Sequence, residues 1–510
     1  MKEKFVLQMI FNLTLNLFSL VVSYFKLKNI DIILLGDIAL AGNITGIFTM
    51  FLDLGVSSIH YQFTSKQDFS TYFGSYTIIK IVLILSNYTL PFIWYFALGF
   101  SSDPIVEEIV LLSLLAGLVN AFAQIFDTNL RTKMKFLKAE TANFTTQLVN
   151  TGIQGYVAIN ATLFANPAII IMQVNLWMMV VRFIVYFLMN LNEKIFKRPD
   201  TSKMKEYLIA AKPLMIQSVI SIASSYIGGI LLGYNQGVQE LQYYSFVMTF
   251  FVNTLLTAVS LAITSNFDAI FPKIIAEKRY KEVTELANQF EKYALVFFLF
   301  IVIAVWCFGG IVIGLLLPKY LPSVPYLNVL ILIPLMDAIL RPYQGNIFQG
   351  GKISLNAKLA ILSIIGSMVM QIIFIPYEVF SIKMLGWGTW GLVFVNIFWY
   401  ICSNLILRYY SKKYYGISSH VKHLKCALIA VGSFALIYII MQLLFIFFGV
   451  HYWDVILSAG MLFAVYFGLL FLLKELTKTD IQFFISLMHP KSYIDSFKKE
   501  FSMEPQNDSN

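Results

Sequence analysis

Fourteen apolar stretches follow one another along this chain, divided by short polar gaps. They cover 5–25, 33–58, 74–99, 107–127, 140–164, 167–190, 209–234, 241–267, 291–317, 324–341, 354–376, 387–408, 422–449 and 453–474. Each holds roughly 18 to 28 residues, and about 20 residues of helix cross a bilayer's hydrocarbon core. In lipid the backbone must bond within its own segment, so each stretch predicts a transmembrane helix. The expected fold class is an all-α polytopic membrane protein of about 14 transmembrane helices. Asn166 and Pro167 leave the division between the fifth and sixth stretches open.

The gaps add an organisation. Those on one side are short, so no external domain is expected. The longest on the other side are 191–208, 268–290 and the tail from 475. Segment 273–292 reads as a cytoplasmic extension of a span or a short amphipathic helix. Residues 481–488, ahead of Pro490, predict an interfacial helix on the inner leaflet. Residues 501–510 are polar and predict disorder. A shift of about 215 residues lays the first six stretches over the seventh to twelfth. Six is even, so both copies share one orientation and relate by an axis along the membrane normal. This predicts an N-terminal six-helix lobe (1–190), a cytoplasmic linker (191–208), a C-terminal six-helix lobe (209–408), two additional helices (409–474) and a cytoplasmic tail (475–510).

Composition agrees with lipid as the solvent. Apolar residues make up 58% of the chain, charged residues 13%, and the mean hydropathy is +0.73. The net charge of +9 raises nucleic acid as a partner, but its distribution argues against one. Thirty of the 37 Lys and Arg residues fall on one side, in alternate gaps or at the stretch ends that border them. Only Lys26, Lys28, Lys319 and Lys383 fall in the others. By the positive-inside rule both termini are cytoplasmic, in a multi-pass cell (inner) membrane protein. The basic gaps then meet anionic lipid headgroups. Cys307, Cys402 and Cys426 lie in or beside apolar stretches without CxxC spacing and read as small buried hydrophobes. The N-terminus reads as an uncleaved first span.

Motifs in the second half carry a resemblance. They are Lys212-Pro213-Leu214 with Ser218, Ser221, Ser224 and Ser225, then Leu231-Leu232-Gly233-Tyr234, and Phe271-Pro272-Lys273. Leu316-Leu317-Pro318-Lys319-Tyr320, Gln349-Gly350-Gly351-Lys352 and Gly386-Trp387-Gly388-Thr389-Trp390-Gly391 follow in order. In the first half the clearest piece is Leu52-Asp53-Leu54-Gly55-Val56-Ser57-Ser58. Together they resemble the lipid-linked oligosaccharide flippases, the polysaccharide-biosynthesis branch of the multidrug/oligosaccharidyl-lipid/polysaccharide exporter superfamily. The resemblance implies two six-helix bundles facing across a cleft that takes a polyprenyl-diphosphate-linked oligosaccharide outward. It also implies membrane lipids, and glycosyltransferases or a polymerase of the same pathway, as partners, with no cofactor and a monomeric state. The chain departs from the family midway along the seventh span, where Tyr226, Gly228 and Gly229 stand in place of a charge. The first span offers Asn12 and Asn16 where some members carry charged residues.

Such a carrier needs cations for a diphosphate and hydroxyl or amide groups for sugars. Arg182 lies roughly 12 Å from the inner end of span six at about 1.5 Å per residue. A charge at that depth costs about 2.5–3.5 kcal/mol. It either binds diphosphate bidentately or snorkels to the inner headgroups. Lys80 and Lys212 carry the same two readings. Asp53 and Asp268 occupy matching places in the two lobes, as coupling or gating groups or as structural partners of loop cations. Asp337 and Arg341, four apart on one helix, read as a local ion pair. Asn12, Asn16, Gln217, Ser221, Asn253 and Asn266 either line a polar lumen or bond between helices. Among these, Arg182, Lys80, Lys212, Asn12, Asn16, Gln217 and Asn253 are the candidate substrate ligands. No phosphate-binding loop, HExxH or Ser/His/Asp constellation stands out, so an enzyme is not expected. The rival readings are a cation-coupled multidrug exporter of the same superfamily, for which Asp37 is the outer-half acid, a membrane-embedded oligosaccharide polymerase or ligase, and a scaffold.

Overall fold

The computed structural model describes residues 2–49, 52–57, 59, 60, 63, 69–133, 135–191, 199–256, 279–349, 353–379, 381–417, 425, 428–436, 438, 439 and 452–477. The predicted interfacial helix at 481–488, residues 501–510 and Asp268 lie outside them. Inner and outer sides are named by the charge assignment.

The first half contains α1 (Lys2–Asn29), α2 (Ile32–Phe48), α3 (Phe69–Leu98), α4 (Pro104–Thr132), α5 (Phe136–Ile159) and α6 (Pro167–Asn190). The second contains α7 (Thr201–Gln236), α8 (Val238–Phe246), α9 (Tyr280–Leu316), α10 (Val324–Leu330), α11 (Leu332–Gln349), α12 (Ile353–Phe374) and α13 (Thr389–Tyr415). Helix α14 (Tyr452–Leu472) follows. Each predicted stretch carries helix among the described residues. Six of the described helices are long and apolar enough by themselves to cross a bilayer. The one sheet among the described residues is a hairpin of β1 (Glu378–Val379) and β2 (Ile382–Lys383) in an outer loop.

Local chemistry sets the helix ends. Asp31, Asp103, Asn166 and Asp200 each cap a helix by accepting from backbone N–H groups two or three residues on. Pro104 and Pro167 occupy first turns, where the missing N–H costs nothing. The open boundary thus falls between Ile159 and Pro167, bridged by a 3-10 turn at Ala161–Leu163. Helix α7 starts at Thr201, inside the segment predicted as a linker. Likewise the charged segment before span nine is helical from Tyr280, an extension of α9 rather than a separate helix. Gly237, at φ 91°, makes the one-residue turn from α7 to α8.

Packing within the first half joins α1 to α5 and α6 to α4 and α5; α2 and α3 also pack on α4. In the second half α11 packs on α9 and α13, and α12 on α13. Helix α14 lies against α9, where the Tyr466 hydroxyl donates to the Val296 carbonyl at 3.0 Å. The halves meet where α2 and α3 reach α7, and α2 reaches α8.

Two matching clusters recur at equivalent places. On α4, Arg131 pairs with Asp127 at 3.0 Å, and Asn190 of α6 donates to the Phe126 and Tyr186 carbonyls at 3.3 and 2.8 Å. On α11, Arg341 pairs with Asp337 at 2.9 Å, and Asn404 of α13 donates to the Met336 and Tyr400 carbonyls at 3.2 and 2.9 Å. In both, a buried amide holds the carbonyl just before the acid. The corresponding residues stand 210 to 214 positions apart, close to the register of the apolar stretches. The Asp337–Arg341 contact is the local pair its spacing implies.

Candidate translocation site

Helix α2 ends at Phe48, and a tight turn follows in which Leu54 and Gly55 have φ of 48° and 77°. Glycine tolerates that region, whereas leucine is strained in it and must be held by its surroundings. The holding groups are on the page. Lys80 of α3 donates to the Leu52 carbonyl at 2.9 Å and to Asp53 Oδ1 at 2.7 Å. Asp53 also accepts from the Ser57 backbone N–H at 3.3 Å and from its hydroxyl. The pair is lopsided: the Lys80 side chain is 2% exposed and that of Asp53 44%. Lys80 and Asp53, separate candidates in the sequence, form one unit.

Arg182 occupies a different place. Its Nη1 donates to Asn120 Oδ1 of α4 at 3.3 Å, and its guanidinium lies 5.6 Å from the Tyr186 ring. It therefore belongs to the α4–α6 contact, next to the Asp127 cluster. Lys212 is exposed on α7. Asn16 is exposed halfway along α1, and Asn253 is exposed at the end of a π turn, Val247–Asn253, that continues α8. π turns are uncommon and concentrate at functional positions. Asn12 lies on α1 and Gln217 and Ser221 on α7, but their side chains are outside the described set, as is Asn266. Lys80, Arg182 and Lys212 thus sit on three helices, the first two in separate bonded clusters.

The outer side is closed by contact between the halves. A Cβ on Gly36 of α2 would strike the Val238 carbonyl of α8, so the backbones touch there. Lys319, on the second half, donates to the Ile30 carbonyl at the end of α1. Leu27, Ile30 and Leu35 share one core with Tyr243, Phe246 and Tyr320. Gly36→Val is expected to destabilise the protein by about 1–3 kcal/mol through overpacking. Gly42→Ala, with nothing within 4 Å of its Cβ, should be neutral. Thermal unfolding in detergent compares them; equal midpoints would deny the close seam.

Sequence reasoning missed two further clusters. Glu291 of α9 accepts from Arg408 Nη2 of α13 at 2.6 Å and from the Tyr343 hydroxyl of α11 at 2.7 Å. Near the inner end, His60 Nδ1 lies 2.6 Å from the Tyr207 hydroxyl, and its ring stacks on Tyr76 at 4.1 Å. The only signal for the first was that Glu291 and Arg408 both stand at inner ends of predicted spans. A cavity of about 610 Å³ between α3 and α4 is lined by Leu85, Tyr88, Phe92, Ile93 and Phe96 among others. Its apolar lining suits hydrocarbon, not a glycan.

Comparison with known proteins extends this picture. Residues 35–325 match the family described as polysaccharide biosynthesis protein. No curated protein matches the chain. Among solved structures it is similar to the lipid II flippase MurJ in an inward closed conformation. That match has a TM-score of 0.69 and 13% identity, over 91% of this chain and 99% of that one. It is also similar to an inward-facing multidrug resistance MATE family transporter of the MOP superfamily. There the TM-score is 0.60 and the identity 14%, over 78% of this chain and 95% of the other. At such identities the likeness is one of fold, and function rests on the site.

Proposed function

Because the chain belongs to the polysaccharide biosynthesis protein family, we propose that it is an alternating-access flippase. Its cargo is a polyprenyl-diphosphate-linked oligosaccharide, moved from the cytoplasmic to the outer leaflet of the cell membrane. The observation that carries this reading is the exposure of polar side chains at mid-depth beneath a sealed outer side. Asn16 on α1 and Asn253 beyond α8 are exposed. Facing lipid there would take the exposed Asn16 amide out of water at a cost of several kcal/mol. A hydrated inner cleft removes that cost and offers donors and acceptors to sugar hydroxyls. Lys212, exposed towards the inner end of α7, supplies a cation for the diphosphate. Arg182 supplies a second if the α4–α6 contact opens. Asp53, and Asp268 in the other half, serve as the coupling or gating groups.

Reconstituted proteoliposomes with a labelled polyprenyl-diphosphate oligosaccharide test the proposal. The label should reach the outer leaflet at a rate well above protein-free liposomes. The double variant Asn16→Leu, Asn253→Leu should lower that rate about tenfold, the loss expected from removing one or two charge-free hydrogen bonds. Cation-driven dye efflux without flipping would instead support the multidrug exporter.

A further inference from the structure

Spacings of four and three residues place Phe73, Thr77, Lys80, Ile84, Asn87 and Pro91 on one face of α3, and all six are buried. In a helix surrounded by lipid and other helices, each polar group on such a face needs a partner. Lys80 has Leu52 and Asp53. Thr77 and Asn87 are each 5% exposed. The Thr77 hydroxyl has no hydrogen-bond partner among the described residues, and neither the nitrogen nor the oxygen of the Asn87 amide has one. Pro91, inside the helix, has no N–H to offer the Asn87 backbone carbonyl four residues earlier. One position midway along α3 therefore carries a side-chain amide with no partner among the described residues, beside a backbone carbonyl that Pro91 cannot serve.

Each such group costs about 1–3 kcal/mol where it stays buried and unpaired. In a protein of one conformation, leucine would be the better residue at 87. In a carrier, a group that is dry in one state is satisfied in the other. The half-to-half contact reaches α3 at its inner end, where Ser75 Oγ accepts from the Asp200 backbone N–H at 2.9 Å.

We infer that the Thr77–Asn87 face of α3 is part of the wall of the polar path in the opposite-facing state. There its hydroxyl, amide and freed carbonyl take hydroxyl and amide groups of a sugar, with the Lys80–Asp53 pair at the inner mouth. The sugar as ligand rests on the flippase reading above; the exposure to water does not.

Single cysteines test it, in the full chain with Cys307, Cys402 and Cys426 changed to serine, reconstituted in liposomes. The probe is a membrane-impermeant sulfonated thiosulfonate applied from either side. Asn87→Cys should be modified about tenfold faster than Leu114→Cys, a buried control on α4, because a position that visits water is reached in proportion to its hydrated population. If Asn87→Cys does not insert, Thr77→Cys carries the same comparison. Modification no faster than the control, from both sides and with lipid-linked oligosaccharide present, overturns the inference. Asn87→Leu should lower flipping about tenfold while leaving the thermal midpoint unchanged or raised. A raised midpoint with full flipping also overturns it. Rapid modification in a protein that flips no lipid-linked sugar keeps the wall and discards the cargo.

Discussion

Asp53→Asn destabilises the protein more than Lys80→Met, although each removes one partner of the same ion pair. The reason is the unequal burial of the two side chains. With Asp53 neutral, the Lys80 ammonium stays 2% exposed and keeps only carbonyl and amide dipoles around it. Breaking a buried pair in this way costs about 3–5 kcal/mol. With Lys80 replaced by methionine, the buried charge is gone and its stem is matched in volume. Asp53, 44% exposed, keeps its Ser57 bonds and its access to water, so the loss is about 1 kcal/mol, the range of an exposed pair. Thermal unfolding of the purified protein in detergent ranks the two. The opposite order would place Asp53, not Lys80, on the buried side. The turn holding Leu54 at φ 48° adds a second readout. Protease cleavage near residues 52–55 should rise in Asp53→Asn, since the strained turn loses its clasp.

Arg408→Leu should cost about 3–5 kcal/mol as well, because it leaves the Glu291 carboxylate, 5% exposed, without its guanidinium. Tyr343→Phe removes one hydrogen bond to the same carboxylate and should cost about 1.5–3 kcal/mol. The double variant Arg408→Leu, Glu291→Leu should recover more than 1 kcal/mol over the sum of the single losses, about the coupling of groups in direct contact. Additive losses would mean that the contact contributes no coupling. This cluster joins α9, α11 and α13, so its loss should reach the packing of the second half and leave the outer seam of α2 and α8 in place.

The candidate residues divide by how far their meaning depends on neighbours. Asp337 and Arg341 lie on one helix four residues apart, and that spacing alone brings them together. Lys80 and Asp53 lie on different elements 27 residues apart, across a turn whose path no local pattern states. Arg182 shows the same limit. Its depth in span six was readable, but its direction depends on the rotation of α6 against α4, which Asn120 and Tyr186 decide. Midway along α7 the residues follow the packing against α2. Tyr226 lies against Gly46, and Asn43 against Gly229, so α2 and α7 approach closely where a side chain at 46 or 229 would not fit.

A bundle of helices in a membrane, the gaps that carry the positive charge and the family that the order of motifs resembles were all legible in the residues alone. Those properties are local sums: hydropathy over about 20 residues, charge in a gap, a proline or cap at a helix end. Which charges neutralise one another, the contact of α2 with α8 on the outer side, and the burial of Asn87 without a partner among the described residues came from the packing of the helices. These depend on helix rotation and on contacts between residues tens to hundreds of positions apart. A rotation of one helix by a single residue, about 100°, turns a polar group from cleft to core to lipid without changing any local sum.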